Sequence, residues 1–417
     1  MPVRNRVRMA TTAAVIAVLS LGACAGPPPE GARLDRPVEF VGVSDKPWTD
    51  DGMAAASVRL ATKLVAARAG ANAVVSPLSL QLVLAVLREG TSGRAAEQLD
   101  AALGLPDGGG SQVVADLRAR LARFEGDVAT VDRDHPPDRP LVHIADGVFI
   151  QPGFAVEPRF LDRAAAYHRA QVYEADFAGG RAQPLLDAWV KRETGGLLTQ
   201  APAAPGREVL VTLLDAVTFA ASWQLPFAPD ETHEGPFARA DGTTAQAQMM
   251  HQSLSAGYAA GEGWRAVELP YTDGFAMRIV LPDRGALSEE QWLAVRKALD
   301  AAPKPLVDLT MPRWETDASL DLTPLLPQLG LAALQQPSGD LDGVFPGAAV
   351  SGVAQAATIT VAERGTVAAA VTQVGMTMGA APHQPDVVLN LDRPFEYQVV
   401  EQETGLVLFA GRVADPS

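Results

Sequence analysis

Apolar residues recur along most of the chain with either a helical or an alternating spacing. Residues 51–69 carry them at helical spacing, and the run from Leu78 to Arg88 is apolar nearly all round, so both predict helices that pack in a core. Ser76 and Pro77 precede the second run and suit the N-cap and the first position of a helix. The long apolar run from Val209 to Trp223 predicts a central strand.

Shorter patterns fill in the C-terminal half. Ala266–Tyr271 and Phe275–Leu281 alternate like half-buried strands, and Asp273-Gly274 between them is typical of a hairpin turn. The leucine-rich run from Leu325 to Leu334 predicts a further helix.

The stretch from Glu363 to Phe395 fits two descriptions. Between Thr366 and Ala381 it has no charge and no proline, as a central strand requires. Gly365 on one side and Pro382 with Pro385 on the other predict a loop. The simple interpretation is a buried strand with a glycine-rich end. The other is a segment that occupies a loop and a strand at different times.

The N-terminus predicts export. Three arginines precede an apolar run, Met9 to Leu21, that is too short to span a bilayer, so residues 1–23 read as a signal peptide. Leu21-Gly22-Ala23-Cys24 resembles the lipobox of bacterial lipoproteins, which implies that Cys24 is lipidated and holds the protein on the outer face of the bacterial cell membrane. The alternative is plain secretion with an incidental thiol. Residues 24–47 are rich in Pro, Gly and charge and predict a flexible tether before a domain at 48–417.

Composition narrows the function classes. The net charge of −15 argues against a nucleic-acid partner, and a single cysteine permits no intramolecular disulfide. The chain has no His-Glu-x-x-His, Gly-x-Ser-x-Gly, Cys-x-x-Cys or Walker motif. Its six histidines lack metal-ligand spacing. We therefore expect no metal, no cofactor and no catalytic residue, although scattered residues could still form a triad.

Several separated motifs resemble the serpin family, over about residues 48–417. Glu363-Arg364-Gly365-Thr366 followed by Ala368, Ala369 and Ala370 resembles the hinge of a serpin reactive-centre loop. Similar segments are Asn72–Leu80, Val209–Trp223, Met249-Met250, Asp392–Phe395 and Gly405–Val413. The resemblance implies an α+β serpin fold, with helices packed around a large mixed sheet A, two smaller sheets and an exposed reactive-centre loop at about 363–393.

The resemblance also implies a function. Inhibitory serpins are suicide substrates: a target protease cleaves the loop, and the loop then inserts into sheet A. The cleaved bond usually follows the seventeenth residue counted from the hinge glutamate, here Gly379, with Ala380 after it and Met378 or Met376 as alternatives. Counting back from Pro394 points nearer His383, but sheet length favours the first count. These residues suit an elastase-, subtilisin- or chymotrypsin-like serine protease, or a cysteine protease.

Two alternatives stay open: a non-inhibitory serpin that acts as a binding protein, and a lipoprotein hydrolase. The hinge favours inhibition, because the residues expected to face inward on insertion are small or apolar. They are Thr366, Ala368, Ala370, Thr372, Val374, Met376 and Met378. We expect a monomer whose partners are a target protease and, through its lipid, a membrane.

Serpins also control sheet opening through residues beneath and at the top of sheet A. The positions here that the resemblance assigns to this role are Ser76, Ser79, Asp215, Gln355 and Trp223. Many serpins pair an asparagine with a histidine where this chain has Asp215 and Gln355. We predict that these two lie within hydrogen-bonding reach, with Ser76 or Ser79 nearby, because a buried carboxylate needs donors.

Overall fold

The computed structural model describes residues 33–34, 38–42, 51–68, 70–133, 135–202, 206–366 and 384–417. Seven α-helices lie within these ranges. They are α1 (Asp51–Ala66), α2 (Pro77–Arg88), α3 (Gly93–Leu103), α4 (Ser111–Leu121), α5 (Pro158–His168), α6 (Ala182–Glu193) and α7 (Glu289–Asp300).

The strands form three sheets. In chain order they are β1 (Arg33–Leu34), β2 (Ala73–Val75), β3 (Leu141–Ile150), β4 (Gln171–Glu174), β5 (Val211–Ser222), β6 (His233–Ala238), β7 (Thr244–Ser255), β8 (Gly257–Gly261), β9 (Trp264–Pro270), β10 (Phe275–Pro282), β11 (Leu306–Pro312), β12 (Trp314–Asp321), β13 (Ala354–Ala362), β14 (Gly365–Thr366), β15 (Val387–Asn390), β16 (Phe395–Glu401) and β17 (Leu406–Val413). Sheet A has the order β1-β4-β3-β5-β14-β13-β12, sheet B the order β2-β17-β16-β10-β9-β8, and sheet C the order β15-β11-β7-β6. The predicted α+β fold with one large mixed sheet and two smaller sheets is confirmed.

Helix α2 lies in the core between sheets A and B, where it contacts β5 and β17. Its N-terminus is as predicted, since the Ser76 side chain accepts a hydrogen bond from the Ser79 amide and Pro77 occupies the first helical position. The near-continuous apolar surface of this helix follows from burial against both sheets.

The predicted hairpin is also confirmed. Strands β9 and β10 pair antiparallel, and the turn between them places Asp273 and Gly274 at φ values of 54° and 89°. The predicted helix from Leu325 to Leu334 is wrong. Two short 3₁₀ segments, Thr323–Leu325 and Ala332–Gln335, lie there instead. Pro327 lacks a backbone donor and Gly330 has a positive φ of 83°, so a regular helix cannot continue through them.

Part of the expected tether lies against the domain. Arg33 and Leu34 pair antiparallel with β4 at the edge of sheet A. The Val41 amide donates to the Ala166 carbonyl at 3.1 Å. The predicted signal peptide and Cys24 lie outside the described residues. Within the described ranges, none of the helices is both long and apolar enough to cross a membrane.

Candidate functional site

The hinge forms a two-residue strand at the top of sheet A. Gly365 pairs with Ser222 of β5 and with Ala362 of β13, and Thr366 pairs with Ala221 and Val361. A Cβ atom at residue 365 would lie 2.3 Å from the Ala221 carbonyl oxygen, so only glycine fits at this close approach. Strand β14 therefore begins a new central strand between β5 and β13.

The first two residues of the hinge are tied to the segment that follows β5. The Trp223 amide donates to the Arg364 carbonyl at 2.8 Å, and the Phe227 amide donates to the Glu363 carbonyl at 2.7 Å. The Thr232 hydroxyl donates to the Glu363 carboxylate at 2.9 Å. These bonds fix the point from which the loop leaves the sheet.

An aromatic pair supports the hinge from below. Trp223 and Tyr271 stack with ring centroids 4.3 Å apart, and the Trp223 indole N–H donates to the Ala362 carbonyl at 2.9 Å. The hydroxyls of Tyr271 and Thr366 are hydrogen-bonded to each other. Burial raises the pKa of Tyr271, which keeps its phenol protonated and able to donate. Thr366 is only 2% exposed, so its side chain points into the molecule.

Below Thr366, no strand formed by described residues lies between β5 and β13. In the part of the chain that the structure describes, β5 and β13 are joined through β14 and not directly to each other. An elongated cavity of about 650 Å³ lies along both strands. Residues 209–219 form one wall, residues 353–359 form the other, and Ser79, Leu80, Val83 and Leu84 of α2 lie beneath. The facing edges of β5 and β13 therefore present backbone N–H and C=O groups to a cavity that begins directly below the hinge.

Gln355 fastens β13 to the start of α2. Its side-chain amide accepts from the Ser76 backbone N–H at 2.9 Å and donates to the Ser76 carbonyl at 2.7 Å. The Ser76 hydroxyl donates to the Leu408 carbonyl of β17 at 2.8 Å. Gln355 and Asp215 line the same cavity with Ser76 and Ser79, but no hydrogen bond joins them in the described structure.

Asp215 lies on the other wall of the cavity and faces a second acid. It is directly opposite Asp146 in the antiparallel register of β3 and β5. Asp146 makes an ion pair of 2.5 Å with Arg118 of α4. Neither carboxyl oxygen of Asp215 has a well-formed hydrogen bond, although both are shielded from solvent. Burial first, and then the negative charge of Asp146, raise the pKa of Asp215 well above its ordinary value, against smaller opposing effects of Ser79 and Arg118.

The structure brings most described members of the predicted site together. Glu363, Gly365, Thr366 and Trp223 meet at the top of the cavity, and the remaining four line its lower part: Ser76, Ser79, Asp215 and Gln355. The hinge alanines 368–370, the predicted cleavage positions Gly379 and Ala380, and the alternatives Met378 and Met376 lie outside the described residues.

Sequence reasoning missed Tyr271 and Asp146. Both reach the site through strand register, and nothing in their local pattern marks them.

The fold and this site define a protein whose largest sheet holds a partly filled strand position, entered by a hinge from above. A family model described as "Serpin (serine protease inhibitor)" matches residues 51–416. The chain belongs to the serpin family.

Curated serpins are similar in sequence to this chain over most of their length. The putative serpin-Z8 of Oryza sativa subsp. japonica is 30% identical over 414 residues, which covers 88% of this chain and 96% of that protein. Neuroserpin of Gallus gallus is 27% identical over 392 residues, which covers 88% of this chain and 92% of that protein.

Solved structures share the fold. The native state of tengpin, a thermophilic serpin, aligns with a TM-score of 0.79 at 22% identity and covers 93% of this chain and 100% of that chain. Human thyroxine-binding globulin, complexed with its hormone, aligns with a TM-score of 0.75 at 22% identity and covers 88% and 98%. At these identities the likeness concerns the fold alone. Membership in the family supports protease inhibition in general terms.

Proposed function

We propose that this protein is a suicide-substrate inhibitor of serine proteases, and that it works by inserting its cleaved loop between β5 and β13. The observation that carries the proposal is the position of Gly365 and Thr366. They are already hydrogen-bonded into the sheet at the top of a strand-wide cavity. The loop residues that follow Thr366 could therefore extend β14 along the cavity.

The register of the hinge predicts where the inserted residues would lie. Continuing the pairing of Thr366 down the gap sets Ala368 opposite Phe219 and Ile359, and Ala370 opposite Val217 and Ala357. These positions face α2, as Thr366 does, because side chains alternate along a strand. Two alanines bring no charge and little volume into this part of the core.

The next inward position, Thr372, is polar and would lie opposite polar residues on both strands. The same register sets Thr372 opposite Asp215 on β5 and Gln355 on β13. A threonine hydroxyl could donate to the Asp215 carboxyl, whose oxygens have no well-formed hydrogen bond at present. The sequence of the loop therefore matches the walls of the cavity at both apolar and polar positions.

The trapping reaction follows from ordinary acyl transfer. The protease serine oxygen would attack the carbonyl carbon of Gly379, the bond to the nitrogen of Ala380 would break, and the new amine would leave with a proton. The protease would then be joined to Gly379 by an ester. Insertion faster than water attack on this ester would carry the protease away with the loop and leave it bound.

The new ladder bonds of an inserted strand supply a driving force for insertion. About a dozen residues forming about a dozen ladder bonds, at roughly 0.5–1.5 kcal/mol each, would give on the order of 6–18 kcal/mol before ordering entropy. Whole domains are stable by roughly 5–15 kcal/mol. We infer that the open form described here is metastable relative to the cleaved and inserted form.

A protease panel tests the proposal. The protein is mixed with elastase-, subtilisin-, chymotrypsin- and trypsin-like enzymes, and the products are denatured and separated by size. We expect a covalent complex with at least one of the first three, because Gly379 and its neighbours are small or apolar. The same protease with its active-site serine blocked is the matched control. Loop cleavage without any complex would overturn the proposal in favour of a non-inhibitory binding protein.

His251 gives the hydrolase alternative no support. His251 and Ser253 lie close together on sheet C, but both bond to the same oxygen of Asp308, at 2.8 Å and 2.7 Å. A nucleophilic serine needs the histidine as its own partner.

We further propose that the protein is an exported lipoprotein, held on the outer side of the cell membrane through Cys24 and acting as a monomer. Support comes from the lipobox-like sequence and from the position of the chain's single cysteine.

A further inference from the structure

Two acids and one base are buried together beneath sheet A. Asp146 and Asp215 face each other across β3 and β5, and Arg118 reaches Asp146 from α4. All three side chains are shielded, with Asp146 and Arg118 at 3% and 8% exposure and the Asp215 oxygens out of contact with solvent. The cluster therefore holds one more acid than it has bases to neutralise.

Among the described residues, the other elements around Asp215 bring no further charge. From α2, Ser79 and Ser76 offer hydroxyl groups, and from β13 the neutral Gln355 is bonded to the Ser76 backbone. Burial and the charge of Asp146 outweigh Ser79 and Arg118, so the raised pKa of Asp215 keeps its carboxyl protonated beyond the range usual for aspartate. One proton on Asp215 completes the charge balance of this buried cluster.

We propose that the Asp146–Asp215 pair makes further separation of β5 and β13 dependent on protons, with Asp215 protonated in the form described here and ionised once the strands separate enough to admit water to its carboxyl. Asp215 lines the cavity between the strands with both carboxyl oxygens shielded, so water reaches these oxygens only when the strands separate further. An ionised carboxylate is far more stable in water than beside a second carboxylate in the core. This inference concerns how the proposed insertion would be regulated. The proton dependence itself does not require the proposed function; only its biological purpose rests on that function.

The sign of the effect follows from linkage. This further separation, here called opening, returns Asp215 toward its ordinary pKa of about 4, so opening releases a proton between that value and the raised pKa of the form described here. Within this window the equilibrium constant for opening rises with pH by up to about tenfold per unit. Below the window both forms are protonated, and above it both are ionised, so the dependence disappears at each side.

Hydrogen exchange of the full-length protein, without any protease, tests the inference. Exchange of the β5 and β13 amides is measured from pH 4 to pH 8 and divided by that of β10, a buried strand of sheet B. The same series is run on Asp215→Asn, which keeps the shape and removes the titrating group. Comparing the two proteins at each pH cancels the intrinsic pH dependence of exchange.

We expect the wild-type ratio to rise with pH by as much as tenfold per unit within the window, and the Asp215→Asn ratio to stay level. A level wild-type ratio would overturn the inference, as would an equal rise in both proteins. If Asp215→Asn does not fold, the wild-type series alone decides, and Asp146→Asn adds a second reading because removing its charge should move the rise to lower pH. Covalent complexes formed alongside a level ratio would reject this inference while leaving the proposed function intact.

Discussion

Placing a charge at the first inserted position tests the hinge directly. Thr366 is 2% exposed, lies between Ala221 and Val361, and has the Tyr271 hydroxyl as its polar partner. In Thr366→Arg the guanidinium would be excluded from this site in the intact protein, and insertion would require it to enter the site as an unpaired charge. The effective penalty for burying an unpaired ion is several kcal/mol.

The penalty sets the expected size of the effect. We take the penalty as about 4 kcal/mol. Because each increase of about 1.4 kcal/mol in the barrier slows a step tenfold, insertion should slow by about a thousandfold. Water would then release the acyl-enzyme before the loop could insert. The variant should change from an inhibitor into a substrate.

The assay uses a protease that forms a covalent complex with the wild-type protein. Thr366→Arg should be cut in the loop, should give no complex after denaturation, and should leave the protease active. Thr360→Arg is the matched control, because residue 360 lies on β13 opposite Glu315 and beside the buried Val361, with its side chain on the other face of the sheet. We expect this control to inhibit like the wild type. Full inhibition by Thr366→Arg would refute the reasoning from the hinge.

Three further outcomes are expected. Burial alone would lower the pKa of His143, but hydrogen bonds to Glu125 and Glu193 together outweigh burial and raise this pKa to about 9. The contribution of His143 to stability is therefore complete below about pH 6.5 and is lost as pH rises through 9. The melting temperature of the wild type should fall over that range more than that of His143→Gln, and parallel curves would contradict this. Gln355→Leu leaves the buried Ser76 backbone N–H and C=O unpaired and should lower the free energy of unfolding by about 2–5 kcal/mol in denaturant titrations, whereas a loss below about 1 kcal/mol would show that the two bonds carry little. Cys24→Ser should move the protein from the membrane fraction to the medium, and unchanged fractionation would reject the lipid anchor.

The parts of the site that depend on local pattern could be predicted from the sequence. Glycine at 365, threonine at 366 and the uncharged run that follows are informative on their own, because close approach, inward facing and burial each demand a residue type. The central strand was predicted as Val209–Trp223 and is observed as Val211–Ser222. The length of this run and its lack of charge apart from Asp215 were sufficient to predict the strand.

The parts that depend on register could not be predicted. Asp146 meets Asp215 only because β3 and β5 pair in one register, and a shift by one residue would send either side chain to the other face. Gln355 was expected to bond a side chain and bonds the backbone of Ser76 instead. The leucines of 325–334 pack in the core without a regular helix, so their spacing reflected burial and not helix formation.

The melting temperature of the loop-cleaved protein tests the central claim most directly. The loop is cut near Gly379 by a protease that is not trapped, and the cleaved protein is compared with the intact one by calorimetry. The ladder bonds of the inserted strand, worth roughly 6–18 kcal/mol before ordering entropy, should raise the melting temperature by about 10 °C or more. A chain cut instead at a site engineered into the exposed turn at Asp241-Gly242 should melt no higher than the intact protein. Equal melting temperatures for intact and loop-cleaved protein would contradict strand insertion.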